Sequence, residues 1–159
     1  MTYADLLEDI VDLDRLAAPD VTPYVRNLAS STNPASSPTD PATWYGDNAG
    51  VIRVEGGENV VLESSVPGAL VRFWTANPNG RFRVYFDGSA TPAIDVEMTA
   101  MMQGNGPFPA PFAYVSARGY NLVHPIAWAH SVKVTTTSVG LYYTFDYREY
   151  APSVEVEAY

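Results

Sequence analysis

Cysteine is absent from this chain, so neither disulfides nor thiolate metal sites can hold it together. Lysine is nearly absent too. Of nine basic residues, set against 18 acidic ones, only Lys133 is a lysine, and the formal net charge is −9. A surface of that sign repels phosphate backbones and anionic lipid, which argues against nucleic acid and membranes as partners. It suits a soluble protein, and one adapted to high salt. No apolar run approaches the ~20 residues a membrane-spanning helix needs. The first residues, MTYADLLEDIVDLDRL, lack the basic start and apolar core of a secretory signal, so cytoplasmic synthesis without a signal peptide is expected. Histidine is limited to His124 and His130, a pair whose spacing is not that of zinc ligands. Phosphate-binding glycine loops, dinucleotide fingerprints and G-x-S-x-G elbows are also missing. No metal site and no cofactor is expected.

What the chain does have is 13 prolines, 11 glycines and 13% aromatic residues, a composition of many short strands joined by turns. Its length fits one domain. Residues 3–17 read as an amphipathic helix with Leu6, Ile10, Leu13 and Ala17 on one stripe, Thr2 as N-cap and Asp5 three residues on. Residues 19–43, rich in Pro, Ser and Thr, read as an irregular extended arm. Strands are expected at 51–55, 60–63, 69–75, 81–87, 93–98, 112–116, 131–137 and 141–149, with a long connection between 99 and 130. In ALVRFWT, Ala69, Val71 and Phe73 alternate with Leu70, Arg72 and Trp74. In RFRVYFD, Phe82, Val84 and Phe86 alternate with Arg81, Arg83, Tyr85 and Asp87. With Asn77-Pro78-Asn79-Gly80 between them, the two runs are expected to form a β-hairpin. The whole pattern predicts an all-β fold: a single antiparallel jelly-roll sandwich with an N-terminal α-helix, the roll spanning 44–150 and a tail 151–159.

Carboxylates are the one catalytic class the residue inventory could serve. Asp87, Asp95, Glu97, Asp146 and Glu149 fall in or beside predicted strands, and Asp146 with Glu149 is the candidate catalytic pair. The bland alternative is that both pair with arginines such as Arg72 or Arg148. Aromatic residues near turns supply sugar-stacking or interface candidates: Trp44, Tyr45, Trp74, Tyr114, Tyr120 and Trp128.

Several stretches, in collinear order, carry a family resemblance. They are ADLLEDIVDLDRLA, the serines at 30–32, WYGDNAG, VPGALVRFWTANPNGRFRVYFDG, the P-x-I-x-V-x-M run at 92–98, RGYNLVHPIAWAHSVKVT and LYYTFDYREY. Together they resemble domain-of-unknown-function family 2961, whose characterised members form glycoside hydrolase family 172. The resemblance implies a jelly roll similar in architecture to viral capsid proteins, trimeric assembly, and action on fructofuranosyl or arabinofuranosyl linkages. It covers only the first of the family's two jelly rolls. It implies that the catalytic glutamates lie beyond the YREY motif, so no residue here inherits their roles. The expectation is therefore a non-catalytic structural protein, a virion, decoration or shell component with a carbohydrate-facing surface, assembling as a trimer or higher cyclic homo-oligomer. The alternative is a furanosidase-type hydrolase whose site is completed at a subunit interface.

Overall fold

Strands with one apolar face can bury it only against a second layer, and this chain solves that problem with two sheets. The computed structural model describes residues 1–17, 22–42, 46–47 and 50–159. The described chain begins with helix α1 (Tyr3–Val11), followed by a 3-10 turn at Leu13–Ala17. Eleven strands follow: β1 (Tyr24–Ser30), β2 (Arg53–Glu55), β3 (Glu58–Ser64), β4 (Gly68–Thr75), β5 (Arg81–Phe86), β6 (Ile94–Glu97), β7 (Ala113–Ser116), β8 (Gly119–Leu122), β9 (Ile126–Trp128), β10 (Val132–Thr136) and β11 (Tyr143–Tyr150). A short helix α2 (Met98–Met102) continues directly from β6.

One sheet runs β1-β11-β4-β8-β7, with β9 pairing β4 beside β8; the other runs β2-β3-β10-β5-β6. All the pairings are antiparallel. The chain passes back and forth between the sheets, and the central order, β1-β11-β4-β8 facing β3-β10-β5-β6, is that of a jelly roll. Between them lie Phe73, Phe82, Val84, Phe108, Leu122, Trp128, Val134 and Phe145, with the three methionines of α2 filling one end.

Three expectations change. The 69–88 stretch is not a hairpin. β4 and β5 belong to opposite sheets, and the turn between them is a corner of the sandwich. Each strand has an apolar face, and those faces meet across the core rather than lying side by side. Second, the alternation in β4 breaks at Val71, an extra residue between the pairs Leu70↔Tyr147 and Arg72↔Asp146. The bulge lets Leu70 and Phe73 both enter the core, while Ala69 and Val71 face the other way. Third, the expected irregular arm contains β1, paired with β11 along its full length. Strands β8 and β9 likewise occupy what was expected to be a connection.

α1 is shorter than expected, and it lies on the outer face of its own chain's sheet. The Thr2 hydroxyl accepts from the Asp5 amide (3.2 Å) and the Asp5 carboxylate accepts from the Thr2 amide (2.8 Å), completing the expected capping box. Leu6 packs with Ala69, Ala127, Tyr150 and Val156. Ile10 and Leu13, expected on the buried stripe, remain exposed. Residues 154–159 return beside the helix, where the Glu157 amide donates to the Met1 carbonyl (3.0 Å) and its carboxylate accepts from the Tyr3 amide (2.8 Å).

Candidate functional site

Strand parity decides where the candidate carboxylates go. Residues an odd number apart on a regular strand point to opposite faces. On β11, Tyr143, Phe145, Tyr147 and Glu149 face the other sheet, and Thr144, Asp146, Arg148 and Tyr150 face outward. Asp146 sits beside Arg72 on the outer face, 3.5 Å apart. Glu149 lies at the mouth between the sheets, accepting from the Ser64 hydroxyl (2.6 Å) and the Asn27 amide (2.6 Å). The structure therefore keeps the two carboxylates on opposite faces of one sheet.

The remaining acidic candidates are engaged locally. Asp87 accepts from the backbone amides of His130 (3.1 Å) and Ser131 (2.9 Å), fixing the turn after β5. Glu97 caps α2 through the Ala100 amide (2.6 Å), and that bond holds its carboxyl below the usual range. Asp95 bonds Arg81 and Arg83, which lower its pKa. It belongs to a lattice across the outer face of the five-stranded sheet. There Arg53 bridges Glu55 and Glu63, Lys133 meets Glu55 and lies over the Tyr85 ring, and Arg83 pairs with Glu58. That lattice is a solvated face of mutually neutralised charges, each pair worth little alone.

The aromatic candidates separate sharply. Trp128 is fully buried, with its indole N–H donating to the Val66 carbonyl (2.7 Å). Tyr120 is half-buried against the core between the sheets. Trp44 and Tyr45 lie outside the described residues. Of the described candidates, Trp74 and Tyr114 reach the open outer face, on the same side as Asp146 and Arg72. A methyl group at Gly119 would collide with the Trp74 indole nitrogen, so the absence of a side chain there is what lets the ring lie over β8. Trp74 is the register partner of Thr144 on one side and Asn121 on the other, and Asn121 in turn of Tyr114. Tyr114 is 41% exposed. Tyr114 is one of the aromatic residues near turns that the sequence offers. Its place at the end of a cross-strand row depends on β8, which the sequence pattern did not reveal.

His124 occupies a cluster at the break between β8 and β9. The Tyr3 hydroxyl lies 2.7 Å from its Nε2, and the rings of Phe108, Phe112 and Tyr159 surround it. Burial lowers its pKa, opposed by a bond to the Pro125 carbonyl. The neighbours are aromatic rings, and the cluster ties α1 and the last residues to the sheet. Among the described residues, no group of three or more His, Asp or Glu side chains is placed to hold a metal ion.

Comparison with known proteins agrees with the architecture. No curated protein matches the chain. The family model described as the GH172 first beta-sandwich domain matches residues 22–159, which takes in every described strand and leaves α1 outside. The chain belongs to the GH172 family, through its first β-sandwich domain.

Proposed function

We propose that this sandwich is a structural module that assembles with copies of itself and carries out no reaction of its own. The observation behind this reading is the separation of Asp146 and Glu149. Glycoside hydrolysis needs two carboxyl groups about 5–10 Å apart and flanking one bond. A sheet stands between these two, and each already has partners. The sandwich edge formed by β1 and β2 supports assembly. Val25, Leu28, Ile52 and Val54 are exposed there, and among the described residues both strands end their sheets with one side unpaired. An edge of this kind is covered when a neighbouring copy packs on it, and repetition around an axis gives a trimer or higher ring. Such rings suit a shell or virion component, and the acidic surface would keep a crowded array soluble.

Light scattering and electron microscopy test the proposal directly. Rings or shells at micromolar concentration, weakened by Val25→Glu together with Val54→Glu, are expected. A stable monomer overturns it.

Membership in GH172 supports a second reading, a furanosidase-type hydrolase whose site is completed across a subunit interface. Incubation with aryl arabinofuranosides and fructofuranosides separates the two. Turnover abolished by Asp146→Asn or Glu149→Gln in a folded protein would establish the hydrolase.

A further inference from the structure

The outer face of the six-stranded sheet is divided in two. α1 covers the half that holds Ala69, Val71, Ala127 and Tyr150. The other half begins at the Arg72–Asp146 pair and continues to one cross-strand row: Ser30, Thr144, Trp74, Asn121 and Tyr114, register partners on five adjacent strands. The row carries no charge, in a molecule whose net charge is −9. That contrast disfavours an anionic ligand, which the rest of the surface would repel.

The two aromatic members stand two strands apart, about 10 Å at ordinary strand spacing. Between them, Asn121 is buried and its amide donates to the Gly119 carbonyl (3.4 Å), so it forms floor rather than obstruction. Gly119 removes the side chain that would lift the Trp74 ring. The result is a strip with two aromatic positions and neutral hydroxyl and amide groups along it.

Aromatic faces take the apolar C–H face of a pyranose ring. In a β-1,4-linked chain, alternate rings present the same face, so their repeat of two sugar units is of the same order as the Trp74-to-Tyr114 spacing. The geometry points to a platform for a neutral, ribbon-like polysaccharide of β-1,4-linked pyranoses. The chain lies across the strands with alternate rings at Trp74 and Tyr114. Its hydroxyls reach Thr144 and the Arg72–Asp146 pair. This is binding without bond cleavage, and it goes beyond the assembly reading, on which it does not depend.

Isothermal titration and affinity electrophoresis with cellohexaose, mannohexaose and chitohexaose test it, with maltohexaose as the helical control. The wild-type protein is expected to bind at least one of the three ribbon-like chains and to ignore the control. Trp74→Ala and Tyr114→Ala should each weaken binding by about tenfold or more, as loss of an aromatic anchor does. Gly119→Ala should weaken it with both aromatics retained, and Tyr85→Ala, on the opposite sheet, should not. Tyr114 is exposed at a sheet end, so its variant keeps the test valid if Trp74→Ala fails to fold. Binding to none of the three chains, equal binding to maltohexaose, or full-strength binding by folded Tyr114→Ala overturns the proposal. A monomer that binds the ribbon upholds it while removing the assembly reading.

Discussion

Phe73 on β4 and Phe82 on β5 stack across the sandwich with ring centroids 5.4 Å apart and planes 17° from parallel. The two strands are consecutive in the chain, yet they share no hydrogen bonds between strands. The stacked pair marks where the chain turns from one sheet into the other, and Phe145 joins it at 4.5 Å from Phe73. All three rings are fully buried.

Replacing Phe73 or Phe82 by Ala is expected to cost about 3–5 kcal/mol, since the ring's transfer energy is lost and a cavity remains. Because the rings share one cavity, the double variant should lose less than the sum of the single losses. Urea denaturation measures all three. Strict additivity would show that the two rings stabilise the sheets separately.

That pair also shows what the sequence could and could not convey. Alternation identified β5, β10 and β11, because each has one apolar face and one polar face. The residue types and their spacing identified the Thr2–Asp5 cap. Alternation could not say whether two consecutive amphipathic strands meet edge to edge or face to face, since both arrangements use the same pattern. β1 was invisible because an edge strand with exposed Val25 and Leu28 shows no alternation. β9 was invisible for the opposite reason: Ile126, Ala127 and Trp128 are all buried, under α1 on one side and the core on the other.

At the candidate site, the opposed orientation of Asp146 and Glu149 was legible from their odd spacing. The fates of Trp74 and Trp128 were not. Both are aromatic and near turns, and distant glycines decide between them: Gly119 makes room for Trp74 on the open face, and Gly68 for Trp128 in the interior.

Trp128→Phe should cost about 1–3 kcal/mol, because it deletes the bond to the Val66 carbonyl and leaves that acceptor without the indole donor. Gly68→Ala should destabilise by a similar amount, about 1–3 kcal/mol, since its methyl would strike the Trp128 ring and the Arg148 carbonyl. Thermal unfolding reads both. If Trp128 were a sugar contact, its replacement would change binding and leave stability intact; the expected result is the reverse.

Stability should also fall on mild acidification through His124. Its folded pKa is lowered from 6.5 by burial, so between that value and the folded pKa the unfolded chain binds a proton that the folded chain does not. Stability is therefore level above about pH 6.5 and declines as pH drops below it, by up to about 1.4 kcal/mol for each unit of pH that one proton governs. Asp5, Glu55, Glu63, Asp95 and Glu97 have lowered pKa values, so their contribution is lost only below the usual carboxylate range. Denaturation at pH about 7 and about 5 should thus show a loss in the wild type that shrinks in His124→Gln. An unchanged pH slope in that variant would remove His124 from the account.

The final prediction concerns what holds α1 down. Leu6 is the helix's one buried residue, so apolar burial alone fixes it weakly. The stronger tie is Asp9, whose carboxylate lies 2.5 Å from the Arg148 guanidinium and 2.8 Å from that of Arg15. Arg148 has only 16% of its side chain exposed and stacks over the Tyr24 ring at 4.4 Å. Asp9→Ala strands this largely buried guanidinium without its carboxylate, at a cost of about 1–3 kcal/mol. The cost should appear locally. Hydrogen exchange of the α1 amides is expected to accelerate by about tenfold or more, while β4 and β11 keep their protection. Arg148→Met should be milder, because it removes the charge together with the need to compensate it and retains an apolar stem against Tyr24. Equal exchange in wild type and Asp9→Ala would mean that α1 is held by Leu6 and the residues returning at 154–159, and not by this ion pair.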